Sequence, residues 1–156
     1  MKRKIRISGF QNWLKFLCII FFIPFVQINS QSIWPILAGV SYKKVEDKIL
    51  GYEVDFPVFN SEIKSYEGKR IKVRGFIVPT NGYKSSKEFV LSALPVKSCY
   101  FCGGAGPETV IEVQAWEAIP LTTSRVELEG VLRLNNTDLN SLMFKLEEAK
   151  LIQVWN

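Results

Sequence analysis

The sequence predicts a small, mainly β domain that closes into a five-stranded barrel. Residues 70–79 and 125–134 alternate charged and apolar side chains, which is typical of strands with one face in a core. Each stretch carries a central glycine, Gly75 or Gly130, and a mid-strand glycine lets a strand bend sharply. Long bending strands favour a closed barrel, and a small β-sandwich is the alternative that periodicity leaves open.

The predicted strands follow one another along the second half of the chain. They cover residues 70–79, 88–94, 109–116, 125–134 and 144–155. In the first of them Ile71, Val73 and Ile77 are expected to face the core, and the last is expected to bulge near Glu147. Five such strands indicate a barrel of the oligonucleotide/oligosaccharide-binding (OB) type.

Shorter elements complete the prediction. Residues 61–66 are expected to form a helical turn with Ser61 as its N-cap, and residues 137–142 a second turn capped by Thr137. Residues 31–60 form a lead-in with one short strand that breaks at Pro57. The predicted organisation is therefore a signal peptide over 1–30, a lead-in segment over 31–60 and an OB-like barrel domain over 61–156.

The N-terminus has the features of an export signal. A basic stretch from Lys2 to Arg6 precedes an uninterrupted apolar run over residues 16–25, and Ser30 offers a small residue before a cut at Gln31. The run is short for a membrane span, which needs about 20 apolar residues. We expect an exported, periplasmic protein, with an uncleaved inner-membrane anchor as the alternative.

The distribution of charge along the chain argues against a nucleic-acid partner. The chain has 20 Lys and Arg residues, 15 Asp and Glu residues and a net charge of +5. All the charges of residues 1–30 are basic (Lys2, Arg3, Lys4, Arg6 and Lys15), so the remainder is neutral. The basic side chains of Arg70, Lys72 and Arg74 alternate along one strand and are expected to face solvent.

The residue inventory limits the chemistry. Of 3 cysteines, Cys18 leaves with the signal, so Cys99 and Cys102 remain in an oxidising compartment. The chain has no histidine, which excludes Ser-His-Asp and Cys-His catalysis as well as covalent haem attachment. No catalytic residue is predicted, and the sequence favours a binding module over an enzyme.

Residues 98–108 form an irregular loop that carries the candidate site. Cys99 and Cys102 can bind a soft metal ion such as zinc as thiolates, with Glu108 as a third ligand and water or a second copy of the chain completing the site. Such a homodimer would form through this loop. The same pair could instead be a thiol–disulfide redox pair or a structural disulfide that stiffens the loop. Residues that shape the loop are Gly103, Gly104, Gly106 and Pro107.

Aromatic residues offer a second type of contact. Tyr100 and Phe101 could stack on a ligand, although loop aromatics more often cover a barrel end. Trp34, Trp116 and Trp155 are expected to lie in the core or to plug the barrel ends.

These motifs resemble those of a family of exported bacterial proteins of unknown function. The resemblance covers roughly residues 50–154 and is carried by the Gly-Phe-Ile-Val-Pro stretch over 75–79 and by the loop that begins at Ser98-Cys99. Many members carry Cys-x-His followed by prolines, whereas this chain has Phe101 at the His position and Cys102 one place later. The resemblance implies an OB-like barrel, a metal ligand at Cys99, and a metal-transport or envelope protein as partner.

Overall fold

The structure, a computed structural model, describes residues 32–47, 51–79, 85–138 and 140–155. The predicted signal peptide and Cys18 lie outside these residues. In chain order the elements are α1 (Trp34–Leu37), β1 (Ser41–Asp47), β2 (Tyr52–Val58), α2 (Ser61–Lys64), β3 (Arg70–Val78), β4 (Ser85–Ser92), β5 (Val110–Pro120), β6 (Arg125–Leu134) and β7 (Phe144–Trp155). Within the described ranges, no helix has the length and apolar character that crossing a membrane requires.

Five of these strands close a barrel in the order β3-β4-β5-β7-β6, which confirms the predicted fold class. Neighbours pair antiparallel except β5 and β7, which run parallel. β6 and β7 have the predicted bounds, whereas β4 begins earlier, at Ser85, and β5 runs on to Pro120. The mainly β, OB-like barrel therefore follows from strands that the sequence pattern identifies.

The glycines of β3 and β6 allow neighbouring strands to approach closely. A Cβ atom at Gly75 would collide with the backbone oxygen of Ser92, and one at Gly130 would lie 2.7 Å from the backbone oxygen of Glu147. In β7 the register shifts opposite this position and Glu148 has a φ of 51°, so the predicted bulge is confirmed. The two glycines thus mark the bends at which the sheet closes.

The core lies inside the barrel. Ile71, Val73 and Ile77 are buried, as predicted for β3. On the outer face of the same strand, Arg74 Nε lies 2.8 Å from Glu127 Oε1, and Lys72 pairs with Glu129 at 3.9 Å. These cross-strand ion pairs place Lys72 and Arg74 on the solvent side, paired with acidic residues of β6.

The lead-in packs against the barrel. Leu37 of α1 is fully buried, and the Phe59 ring lies 5.7 Å from that of Phe144 in the core. The predicted break at Pro57 is wrong, because β2 continues through it and pairs with β1 in a two-stranded hairpin. Proline is tolerated there because an edge strand can leave its missing donor on the unpaired side.

Three further sequence predictions are corrected by the structure. The N-cap of α2 is Asn60, whose side-chain oxygen accepts from Ile63 N at 2.8 Å, and not Ser61. The helical turn expected from Thr137 is absent from the described residues, and a turn built on Asn135 replaces it. Trp116 is 63% exposed, so it is not a core residue. It lies where β5 has left its pairing with β7.

Candidate functional site

The loop between β4 and β5 is built from three short 3₁₀ turns, Val96–Ser98, Tyr100–Cys102 and Pro107–Thr109. The backbone oxygen of Cys99 accepts from Cys102 N at 3.1 Å and from Gly104 N at 3.2 Å. Because one carbonyl binds two amides, the segment between the cysteines has a defined conformation. The loop therefore presents its two thiols from fixed positions.

The glycines of this loop meet specific conformational and steric needs. Gly103 has a φ of 75°, in the left-handed region that side chains disfavour. A Cβ atom at Gly104 would lie 2.7 Å from Ser98 O, and one at Gly106 would contact the Glu108 carboxylate. Pro107 occupies the first turn of its 3₁₀ segment, where its fixed φ is compatible with the geometry.

The two cysteines occupy different environments although they are three residues apart. Cys99 is fully buried and packs with Val78, Val90 and Val110 in a small apolar cluster. Cys102 is exposed, and both are free thiols whose sulfurs lie 4.0 Å apart. The hydrogen bond to Cys99, followed by desolvation, raises the pKa of the Cys102 thiol. Any external group therefore reaches this pair from the Cys102 side.

The sulfur spacing fits two ligands of one metal ion. In a tetrahedral site with Zn–S distances of about 2.3 Å, two thiolate sulfurs lie about 3.8 Å apart. The observed 4.0 Å is close to that spacing. Cys99 and Cys102 could thus share a soft metal ion with little movement of the loop.

Glu108 is directed elsewhere. Its carboxylate lies beside Gly106, and its charge acts on the Tyr42 hydroxyl, which itself donates to Met143 Sδ at 3.9 Å. Burial, followed by the charge of Glu108, raises the pKa of Tyr42 to about 12. Among the described residues no group of three or more His, Cys, Asp or Glu side chains could hold a metal ion. The structure therefore brings together two of the three predicted ligands.

Of the two loop aromatics, Tyr100 contributes to the wall of a neighbouring cavity. The rings of Tyr100 and Phe101 meet edge to face with centroids 5.3 Å apart, and Phe101 is 55% exposed. Tyr100 and Pro107 line a cavity of about 470 Å³ that the β1–β2 hairpin, residues 135–138 and residues 141–143 also border. A cavity of this size is in the range of small-molecule sites.

Sequence reasoning did not identify the other residues of this cavity. Tyr42 and Asp55 come from the hairpin and Asp138 from the β6–β7 connection, so they are far apart in the sequence. The hairpin strand that carries Tyr42 is mostly polar and exposed, and it lacks the apolar alternation that would have identified it. The hairpin register pairs Tyr42 with Pro57, and the folded hairpin brings Tyr42 and Asp55 to the cavity beside the loop.

Comparison with known proteins gives little direct guidance. No protein-family model matches the chain, and no curated protein matches it. Among solved structures, the chain is similar to a DUF3299 family protein from Pseudomonas aeruginosa PAO1, with 13% sequence identity and a TM-score of 0.46. The match covers 60% of this chain and 68% of that one. We draw no functional conclusion from a likeness at this level.

Proposed function

We propose that this protein is an exported barrel module that binds or handles a soft metal ion, zinc being the first candidate, between the sulfurs of Cys99 and Cys102. The observation that carries the proposal is a pair of free thiols 4.0 Å apart on a loop of defined conformation. Thiolates favour zinc and other soft ions. Export rests on the basic and apolar N-terminal sequence.

The remaining ligands come from outside this chain. A closed zinc site has four ligands, and the described residues supply two. Cys102 is exposed, so a second copy of the chain or a metal-transport or envelope protein can approach the ion from that side. A site that is completed by a partner suits a protein that passes a metal on.

A thiol–disulfide exchange role has less support. Reactive thiols in redox proteins have a lowered pKa, commonly from a nearby cation or a helix N-terminus. Here the hydrogen bond to Cys99 raises the pKa of the exposed thiol, Cys102, which disfavours a free thiolate, whereas a metal ion deprotonates the thiols that it binds. A structural disulfide is the remaining alternative, and a thiol count distinguishes it from the metal site.

The test uses the chain from residue 31 onward, purified under anaerobic conditions. We expect one zinc ion per one or two chains together with two titratable thiols after chelation. Cys102→Ser should weaken zinc binding by more than about 100-fold, because even the loss of an outer-shell partner costs 10–100-fold. Lys97→Ser, at an exposed position on the same loop, is the matched control and should bind zinc normally.

Two results would contradict the proposal. One is zinc binding of equal affinity in the parent chain and Cys102→Ser. The other is a chain without zinc and without free thiols as isolated, which takes up no zinc after reduction. In that case a reduction potential below about −300 mV would identify a structural disulfide, and a higher value would identify a thiol-exchange protein.

A further inference from the structure

The cavity beside the cysteine loop combines aromatic walls with negative charge. Its apolar and aromatic surface comes from Tyr42, Phe56, Tyr100 and Met143, and its carboxylates from Asp55 and Asp138. Among the described residues that line it, none is a lysine or an arginine. The cavity therefore has the chemistry of a site for a positively charged group.

Two lysines close to the cavity are paired with other acidic residues. Lys44 lies opposite Asp55 in the hairpin register, but its ammonium lies 3.7 Å from Glu53. Lys145, whose charge reaches Asp138, lies 3.8 Å from Glu112. Both ion pairs direct the lysine charges to acidic residues outside the cavity lining.

Hydrogen bonds hold the Asp138 carboxylate in place. The Asp138 side chain accepts from Asn140 N at 2.9 Å and from the Ser141 hydroxyl at 2.7 Å. The Tyr42 hydroxyl donates to Met143 Sδ at 3.9 Å, which links the hairpin to the β6–β7 connection. Asp138 and Tyr42 are thus positioned before any ligand arrives.

The shape of the site selects an organic cation over a metal ion. The acidic side chains do not form a group that could hold a metal among the described residues. Tyrosine rings attract ammonium groups through their faces, and such a cavity can also bury an apolar body attached to the charge. We propose that this cavity binds a small organic cation, with its ammonium group between the tyrosine rings and the aspartates.

Calorimetric titration of the metal-free chain from residue 31 tests this inference independently of the metal site. The probes are choline, n-butylammonium, and 3,3-dimethylbutan-1-ol, which is the uncharged isostere of choline. We expect saturable binding of at least one cation, and binding of choline about fivefold to tenfold tighter than that of its isostere. Because the attraction is electrostatic, salt should weaken it.

Variants locate the binding. Asp55→Asn and Asp138→Asn should each weaken cation binding about twofold to fivefold, as expected for partly exposed charges. Tyr42→Leu should weaken it by a similar factor. Glu62→Gln, on α2 and outside the cavity, is the matched control and should bind as the parent does. Equal binding of choline and its isostere, saturable binding of neither cation, or no effect of the two aspartate substitutions together would overturn the inference.

Discussion

The two cysteines differ most clearly at the level of single residues. Cys99 has an exposed fraction of 0% and lies among valines, whereas Cys102 is exposed. The first sulfur therefore contributes to packing as well as to the candidate site, and the second contributes to the site alone. A substitution that only probes metal binding must be made at Cys102.

The stability of the chain should respond differently to the two thiols. Cys99→Ser places a hydroxyl group in an apolar cluster, so we expect a loss of about 1–3 kcal/mol in the free energy of unfolding. Cys102→Ser should change it by less than about 0.5 kcal/mol. Urea unfolding of the reduced, metal-free chain measures both. Equal losses would show that Cys99 is not buried in this way.

The raised pKa of Tyr42 predicts that the folded chain loses stability in alkaline solution. Burial, then the charge of Glu108, raises its pKa from 10.0 to about 12. The folded state therefore holds the phenolic proton more tightly than the unfolded state does. This contribution is fully present below pH 10 and is lost as the pH rises towards 12.

Thermal unfolding across this pH range measures the effect. Tyr42→Phe should lose less stability than the parent chain between pH 10 and about 12. Tyr52→Phe is the matched control, since Tyr52 is 58% exposed and lies in the same hairpin. Identical alkaline profiles for the parent and Tyr42→Phe would contradict the effect of partial burial and of the Glu108 charge on this hydroxyl.

At the level of secondary-structure elements, the glycine in β3 controls how closely β4 can approach. Gly75→Ala would push a methyl group against the backbone of Ser92, and we expect a loss of about 3 kcal/mol. Gly51→Ala is a useful comparison, because Gly51 has a φ of 73° but no atom within 4 Å. It should cost only the conformational strain of about 1 kcal/mol. Equal costs in chemical denaturation would contradict the close approach.

The elements that sequence reasoning identified have clear physical signatures. β6 has one apolar face and one polar face, so periodicity locates it. β1 has the sequence SYKKVED and lies in an exposed hairpin, so no buried face marks it as a strand. The residue type of Trp116 predicts a place in the core or at a barrel end, but the divergence of β5 from β7 leaves it exposed.

For the whole molecule, the lead-in and the barrel share one core. Leu37 is fully buried although it precedes the first barrel strand by more than thirty residues. Leu37→Ala should therefore destabilise the fold by about 3 kcal/mol. Val58→Ala, at a position that is 39% exposed, is the control and should cost less than about 1 kcal/mol. A loss of unfolding free energy for Leu37→Ala no larger than that for Val58→Ala would contradict the packing of the lead-in into the barrel core.

The candidate site was only partly accessible to sequence reasoning. The spacing of Cys99 and Cys102 within a glycine-rich loop is a local pattern, so the sequence identifies the pair. Whether Glu108 joins them depends on where the loop places its carboxylate, which lies beside Gly106 and whose charge acts on Tyr42 of a distant hairpin. The cavity depends on the same hairpin and on the β6–β7 connection. Contacts of this kind depend on the fold and leave no spacing pattern in one sequence.

The central claim, that Cys99 and Cys102 hold one soft metal ion, is tested most directly by counting the sulfur ligands of bound zinc. X-ray absorption at the zinc edge of the reduced, zinc-loaded chain gives that count. We expect two sulfur ligands at about 2.3 Å when a monomer binds the ion, and four when two chains share it. Zinc bound only through oxygen and nitrogen atoms would contradict the account.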